Sequence, residues 1–571
     1  MRRISKELGS MKKILLRIAI LMFVVVTTGC NGKNNDGNNN NNNNIGPIIP
    51  SLSVLSESIN LNIGETERIE ALLEGASEET AVAYLSLNPD IATVDDAGLV
   101  SALSAGEAVI EVYLIEYPDA KTSVTVTVVD PEKEAEEAAR QIIEDAIAEL
   151  DAMIPAEVTG NISLPRFMRN YSVQLAWTSS DPDAISAAGR VVRRKEDQYV
   201  QLEATLRYHK NVVVEGVFKK TVKVEKYELR NLDGKKPVFA YYYQGSSLKD
   251  EDLDKIDVIN YSFGYIINNQ LSVSHLPNLA TLANKAHAKG VRFVISVGGW
   301  GATGFGPMAA TAENRAKFAR SVVEVIKNYG LDGIDLDWEY PTTDIGSEKG
   351  KPEDKYNFTS LIRELRDALD EVDPELLLTA AFPAGSWGAQ NYYEISEING
   401  HLDYFHLMTY DMISYSSSAK TSHHTNLYPS KYSTSPQTSA ASAVLAYQNA
   451  GADKSKIVIG GAFYGHIGTV TGNPVDDGMG LPTADFANSV TFAKIYTDYL
   501  NNPNFQRYFD DDAKAPWLFD GTTLITYDDP VSLGYKCEYI IQEGLGGIMF
   551  WQLGGDYESI LVNAIYDSLN K

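Results

Sequence analysis

The sequence predicts a multidomain chain: an α/β domain of eight parallel strands closed into a (β/α)8 barrel over 236–571, preceded by two small all-β sandwich modules. Three observations carry this. Eight apolar β-type runs, at 238–243, 256–263, 291–297, 333–338, 376–382, 402–408, 457–463 and 547–551, alternate with helical patterns. Between 51 and 130, apolar and polar positions alternate in short runs bounded by turn residues, with a partial echo at 177–192. The chain of 571 residues is too long for one hydrophobic core.

Hydrophobic residues make up 44% and charged residues 22%, ordinary globular composition. With 49 Lys+Arg against 76 Asp+Glu the formal net charge is 49 − 76 = −27, which argues against nucleic acid as a partner. The two cysteines, Cys30 and Cys537, build no disulfide framework, and the 32 tyrosines are a surplus. No feature calls for an oligomer or a cofactor, and a monomer is expected.

The N-terminus reads as an address. Lys12 and Lys13 precede an apolar run at 14–28, broken by Arg17 and ending Thr27-Thr28-Gly29-Cys30. This pattern resembles a bacterial lipoprotein signal over 1–30. The resemblance implies lipidation of Cys30 and attachment at a membrane in the cell envelope, outside the cytoplasm. A transmembrane anchor is the alternative, but the run is short and Arg17 is costly in lipid. Residues 31–50, with seven consecutive asparagines from Asn38, have nothing to bury and read as a solvated tether.

The first module spans 51–130. Ala108-Val109-Ile110-Glu111-Val112 and Val124-Thr125-Val126-Thr127-Val128 show the period of half-buried strands. The stretch 88–95, with Gly98, Val100 and Gly106, resembles group 2 bacterial immunoglobulin-like domains. An echo at 177–192 marks a second module over 131–230, similar to the atrophied bacterial immunoglobulin-like domains. It opens with a helix over 132–153, where Ile142, Ile143, Ala146, Ile147 and Leu150 share a face. Neither module clusters catalytic residue types. Spacer or adhesion roles fit them, and Trp177 reads as core before it reads as a sugar contact.

In the barrel, helical patterns at 316–329 and 358–369 separate strand runs. The long polar gap after the seventh run places a small insertion around 466–524. This is the grammar of a TIM barrel, in which chemistry sits at the C-terminal ends of strands. The fourth run reads Leu331-Asp332-Gly333-Ile334-Asp335-Leu336-Asp337-Trp338-Glu339-Tyr340-Pro341. A two-residue repeat projects Asp335, Asp337 and Glu339 to one side and Ile334, Leu336 and Trp338 to the other. Like charges stacked in a confined interior must share protons, so at least one carboxyl is expected to stay protonated near neutral pH. That is what a general acid needs. A divalent cation on three carboxylates is the rival, with no further hard ligand at loop spacing to support it.

The stretch from Asp332 to Pro341 looks like the signature of family 18 glycoside hydrolases, the chitinases and their relatives. Ser296-Val297-Gly298-Gly299-Trp300, Met408-Thr409-Tyr410-Asp411, Phe463-Tyr464-Gly465 and Gly547-Ile548-Met549-Phe550-Trp551 fit other motifs of that family, in order. The resemblance implies substrate-assisted hydrolysis with retention, without metal or cofactor. Glu339 would protonate the glycosidic oxygen, and the sugar's 2-acetamido carbonyl would attack its own anomeric carbon to give an oxazolinium ion. Asp337 would orient the acetamide and balance its charge, Asp335 would share a proton with Asp337, and Tyr410 would donate to the acetamide oxygen.

The same resemblance implies a sugar platform of Trp551, with Tyr241, Phe263, Tyr464, Met408 and Asp411 around it and Trp300 and Trp387 at flanking subsites. Ser296 and Thr379 read as structural. The His423-His424 pair suggests a metal by composition, yet similar residues occupy that loop in relatives. His466 stands where many relatives carry Arg, and Gln552 where Glu is common. The expected substrate is a polymer of β-1,4-linked N-acetylglucosamine, chitin first. Cleavage of N-glycan cores, cleavage of peptidoglycan, and a lectin that binds without cleaving remain alternatives.

Overall fold

The computed structural model describes residues 50–75, 80–344, 348–414, 419–433, 438–471 and 477–571. The signal, Cys30 and nearly all of the tether lie outside the described residues. No helix among the described residues is long and apolar enough to cross a membrane. The chain divides into two compact units, 1–131 and 132–571.

In the first unit, a four-stranded sheet (Ser58–Asn62, Tyr117–Val129, Gly106–Leu114 and Val82–Ser86) accompanies a three-stranded sheet and a paired ribbon. Alternation does the work. Ala108, Ile110 and Val112 face Val126, Val124 and their neighbours across the longest pairing, and all are buried.

The second unit opens with the helix Pro131–Met153, whose buried residues Ala139, Ile143, Ala146 and Leu150 repeat at helical spacing. They pack on one five-stranded sheet built around Gln198–His209 and Val213–Val224. A helix therefore covers the face of this sheet. Trp177 is part of that core: its indole N–H donates to Pro165 O at 2.8 Å and its ring meets Phe218 edge-on.

The barrel follows. Its strands are Val238–Tyr243, Val258–Ile267, Arg292–Gly298, Gly333–Asp337, Leu377–Pro383, Tyr404–Met408, Ile457–Ala462 and Gly547–Trp551. Each pairs in parallel with the next, and the eighth with the first, so the sheet closes. Near-continuous burial along these strands explains why they read as apolar runs rather than alternating ones. The helix Ala312–Tyr329 is capped by Thr311, whose hydroxyl accepts from Asn314 N–H, and ends at Gly330.

The floor of the barrel is tied to the second module. Asp332, just before the fourth strand, accepts from His287 Nε2 at 2.7 Å, Phe293 N–H at 2.7 Å and the Tyr227 hydroxyl at 3.1 Å. Tyr227 lies in the segment leaving the module and stacks on His287 at 3.8 Å. Lys195 of the module also pairs with Asp373 at 2.6 Å.

Between the seventh and eighth strands stands a five-stranded antiparallel sheet, with Tyr464–Val470 and Thr523–Tyr527 among its strands. It begins one residue after the strand that feeds it. Trp517, Phe519 and Phe486 form its core. Behind the seventh strand, Lys536 and Asp528 form a fully buried ion pair at 2.6 Å, and the ammonium also donates to Thr425 Oγ1 and Gly460 O. Cys537 beside it is buried among apolar side chains, which pushes its thiol up to about 12.

Candidate active site

The C-terminal ends of the barrel strands open into a cleft of about 1740 Å³, with Asp337, Glu339, Tyr410, Phe263 and Trp551 in its lining. The fourth strand supplies the acids by its two-residue repeat. Asp335 and Asp337 point inward and are buried, Ile334 and Leu336 are buried on the helix side, and Glu339 sits beyond the strand end at the mouth.

Register fixes the deepest of the three. Asp335 lies opposite Ser296 of the third strand and Thr379 of the fifth. The Thr379 hydroxyl donates to Asp335 Oδ1 at 2.6 Å, and the Ser296 and Tyr241 hydroxyls donate to Oδ2 at 2.7 and 2.9 Å. His406 Nδ1 is 3.5 Å from Asp335 Oδ1. Burial works against ionisation here, but His406, Thr379 and Ser296 outweigh it and leave the carboxyl below the ordinary Asp range.

Asp337 is the opposite case. It is buried, its Oδ1 has no hydrogen-bond partner among the described residues, and Glu339 and Asp335 flank it. Burial first, then those two neighbouring charges, hold its carboxyl well above the usual range. Burial also pushes Glu339 up to about 7; the Tyr340 hydroxyl beside it pulls the other way and Asp411 adds to the rise. The ladder therefore holds an ionised base below and proton-bearing acids above, the separation of roles that acid catalysis near neutral pH requires.

Tyr410 leaves the sixth strand with its hydroxyl 3.7 Å from Met549 Sδ. It fits because residue 460 on the next strand is glycine: a Cβ there would stand 2.7 Å from the Tyr410 ring. Burial holds the Tyr410 hydroxyl far above its ordinary range, so it remains a donor. Trp551 closes the eighth strand. Its indole stacks on Phe263 at 5.5 Å and is bordered by Tyr241 at 5.9 Å and Tyr243 at 6.1 Å. Gly299 makes room for Phe263, since a Cβ at its left-handed φ of 84° would meet that ring at 2.6 Å.

Across the cleft, Asp411 Oδ1 accepts from the Tyr464 hydroxyl at 2.5 Å and lies 2.7 Å from His466 Nε2. His466 thus anchors the same carboxylate from the insertion's first strand. Met408 lines the cleft between these walls. Trp300 also borders it and is 68% exposed. Trp387 stands outside the cleft lining, packed against Tyr392 and 62% exposed. Gln552 is also in the cleft lining, where its Oε1 accepts from Gly554 N–H at 3.1 Å and Ser246 Oγ at 3.3 Å.

His423 and His424 part company. His423 Nε2 meets Asp510 at 3.2 Å, while His424 Nδ1 faces Asp411 N–H at 3.4 Å. Asp411, His424 and His466 have ligand-type atoms within 4.8 Å of one another. The close Asp411–His466 contact is a hydrogen bond, tighter than two ligands about 2.1 Å from a shared ion adopt, so hydrogen bonding accounts for the group. Sequence reasoning overlooked His406. Its signal was an imidazole at an inward position of an otherwise apolar strand, Tyr404–Met408.

Residues 238–556 match the model for glycosyl hydrolases family 18. Residues 137–225 match the atrophied bacterial Ig domain, and 48–126 the bacterial Ig-like domain, group 2. The chain is 35% identical over 301 residues to chitinase A1 of Niallia circulans, covering 48% of this chain and 42% of that protein. It is 31% identical over 324 residues to chitotriosidase-1 of Mus musculus, covering 54% of this chain and 68% of that one. Among solved structures, a family 18 N-acetylglucosaminidase from Paenibacillus barengoltzii superposes with a TM-score of 0.56 at 36% identity, over 58% of this chain and 100% of that one. The cell-surface-expressed, multi-modular chitinase ChiW from Paenibacillus sp. str. FPU-7 gives 0.54 at 25% identity, over 92% of this chain and 43% of that one.

Proposed function

The chain belongs to family 18 of the glycosyl hydrolases, and from that premise we propose that it is a retaining hydrolase of β-1,4-linked N-acetylglucosamine polymers, chitin first, acting as a monomer without metal or cofactor. One observation carries the reading: Asp335, Asp337 and Glu339 climb one side of the fourth strand and its exit into a cleft lined by Trp551, with burial holding Asp337 and Glu339 above the usual carboxylate range. In this mechanism Glu339 gives its proton to the leaving oxygen, and the substrate's acetamide carbonyl closes on C1 as an oxazolinium. Asp337 accepts from the acetamide N–H, the Tyr410 hydroxyl donates to the acetamide oxygen, and Glu339 then takes a proton from water. Trp551 and Phe263 offer the flat faces on which a pyranose ring stacks.

The test is product analysis. The full chain is given chitin oligomers, a high-mannose glycoprotein and peptidoglycan, and products are read by mass spectrometry. Shortened chitin oligomers are expected. Cleavage of the glycoprotein alone would replace chitin by an N-glycan core, and binding without cleavage would make the protein a lectin. The P. barengoltzii neighbour favours one further pattern to look for, release of single N-acetylglucosamine units.

The pH dependence follows from Glu339. A general acid works in its protonated form, and burial keeps Glu339 protonated up to about 7. Turnover of chitin oligomers is therefore expected to fall as pH rises through about 7. A rate plateau persisting to about pH 9 would take the role from Glu339.

The bacterial immunoglobulin-like segments and the cell-surface relative support an extracytoplasmic bacterial location. Within that reading, Cys30 carries the lipid that holds the protein at the membrane, and 31–50 spans outward from it. Cys30→Ala is expected to move the protein from the membrane fraction to the soluble one. An unchanged distribution would remove the anchor.

A further inference from the structure

Below the three acids the barrel interior holds a group that the reaction as written does not use. His406, on the sixth strand, is fully buried, and Phe239 packs at 4.6 Å from its ring. Its Nδ1 lies 3.1 Å from the Tyr241 hydroxyl, and that hydroxyl lies 2.9 Å from Asp335 Oδ2. A phenol carries one hydrogen. Asp335 already receives the Thr379 and Ser296 hydroxyls, so as a carboxylate it takes the Tyr241 hydrogen as well. The Tyr241 oxygen is then an acceptor, and the hydrogen between it and the imidazole belongs to His406 Nδ1.

We propose that His406 is a positioning residue for this site, donating through Nδ1–H to the Tyr241 hydroxyl so that Tyr241 donates to Asp335 and fixes it as an acceptor-only carboxylate beneath Asp337. The relay runs from the sixth strand through the first to the fourth, across the interior. Its effect is to keep the ladder's proton on the upper acids. A carboxylate that accepts three hydroxyl hydrogens has a lowered affinity for a proton, and the proton then resides on Asp337. His406 touches no reacting atom; it acts through Tyr241 and, with Nδ1 3.5 Å from Oδ1, on Asp335 itself. Among the described residues, the ionisable groups facing Asp335 are Tyr241 from the first strand, His406 and Tyr410 from the sixth strand and its exit, and Asp337 above it on its own strand.

The inference rests on the hydrolase reading, and its test separates the two. In the full chain, His406→Leu removes the donor, His406→Gln restores an N–H, and Tyr241→Phe removes the middle link while keeping the ring. Loss of a donor raises the proton affinity of Asp335. The acid limb of kcat/KM on a chitin oligomer should then move to higher pH by about one unit in the Leu and Phe variants, with KM unchanged in the Leu variant. His406→Gln should return it toward the wild-type position.

The Leu–Phe double variant should shift by less than the sum of the two singles, because the groups act in series. An unmoved acid limb in folded Leu and Phe variants, or fully additive shifts, overturns the relay. Should the Leu variant fail to fold, the Gln and Phe variants decide alone. A wild type that cleaves no N-acetylated glycan overturns the function instead, and the relay is then read from melting temperature against pH. A depressed Asp335 contributes stability above its unfolded value that is lost as pH falls. The relay therefore predicts a smaller acid-side drop in Tm for Tyr241→Phe than for wild type, and an equal drop overturns it.

Discussion

Glu339→Gln lowers kcat on chitin oligomers by about 10²–10⁴-fold, the span that acid–base help contributes. Gln keeps the size of the side chain and its contact with Tyr340 while removing the proton that burial holds there. The substitution also has a signature that simple damage to the site lacks. A sugar alcohol leaves only if its oxygen is protonated, whereas a nitrophenolate leaves unaided. The loss should therefore be much smaller on a nitrophenyl chitooligosaccharide than on the natural oligomer. The two substrates, assayed side by side with wild type and variant, supply the check. Equal losses on both would show that Glu339 supports the structure of the cleft rather than the departure of the leaving group, and wild-type-like turnover would remove it from the reaction.

How far the sequence reaches differs from residue to residue. The eight strand runs are legible because strands buried on both faces leave no polar alternation to confuse with a surface. The ladder is legible because period two is local: Asp335, Asp337 and Glu339 share a side whatever packs around them. What surrounds Asp335 is another matter. Ser296 and Thr379 read as structural from their own segments, and only the register of three neighbouring strands makes them its donors. His406 was hidden in the same way, since nothing within Tyr404–Met408 says which residue lies across the barrel.

Loops are the least legible. His466 was visible as a departure, but its contact with Asp411 depends on the insertion's first strand continuing almost directly from the seventh barrel strand. Trp387 follows the fifth strand closely in sequence, and the short helix Ser386–Asn391 carries it away from the cleft lining toward Tyr392.

Asp337→Asn is the second large effect, about 10²–10³-fold in kcat, the cost of removing one preorganised electrostatic group from a dry site. The argument starts from the resting state. Asp337 is buried beside two other carboxyls, and its Oδ1 is without a partner among the described residues. Such a group is expensive to keep, and the expense is explained if substrate supplies what is missing. The acetamide N–H is that partner, and its positive charge grows as the oxazolinium closes. A carboxyl can meet that charge by passing its proton toward Glu339, which has just given its own to the leaving oxygen, whereas an amide can accept the hydrogen bond but cannot become an anion. Because this help falls on ring closure rather than on departure of the alcohol, an activated leaving group does not restore the rate. Asp337→Asn should lose about the same factor, within the 10²–10³ range, on the nitrophenyl substrate and on the natural oligomer. Glu339→Gln should diverge between them. If the two variants respond alike to the leaving group, Asp337 and Glu339 share one role, and the division of labour read from their environments is wrong.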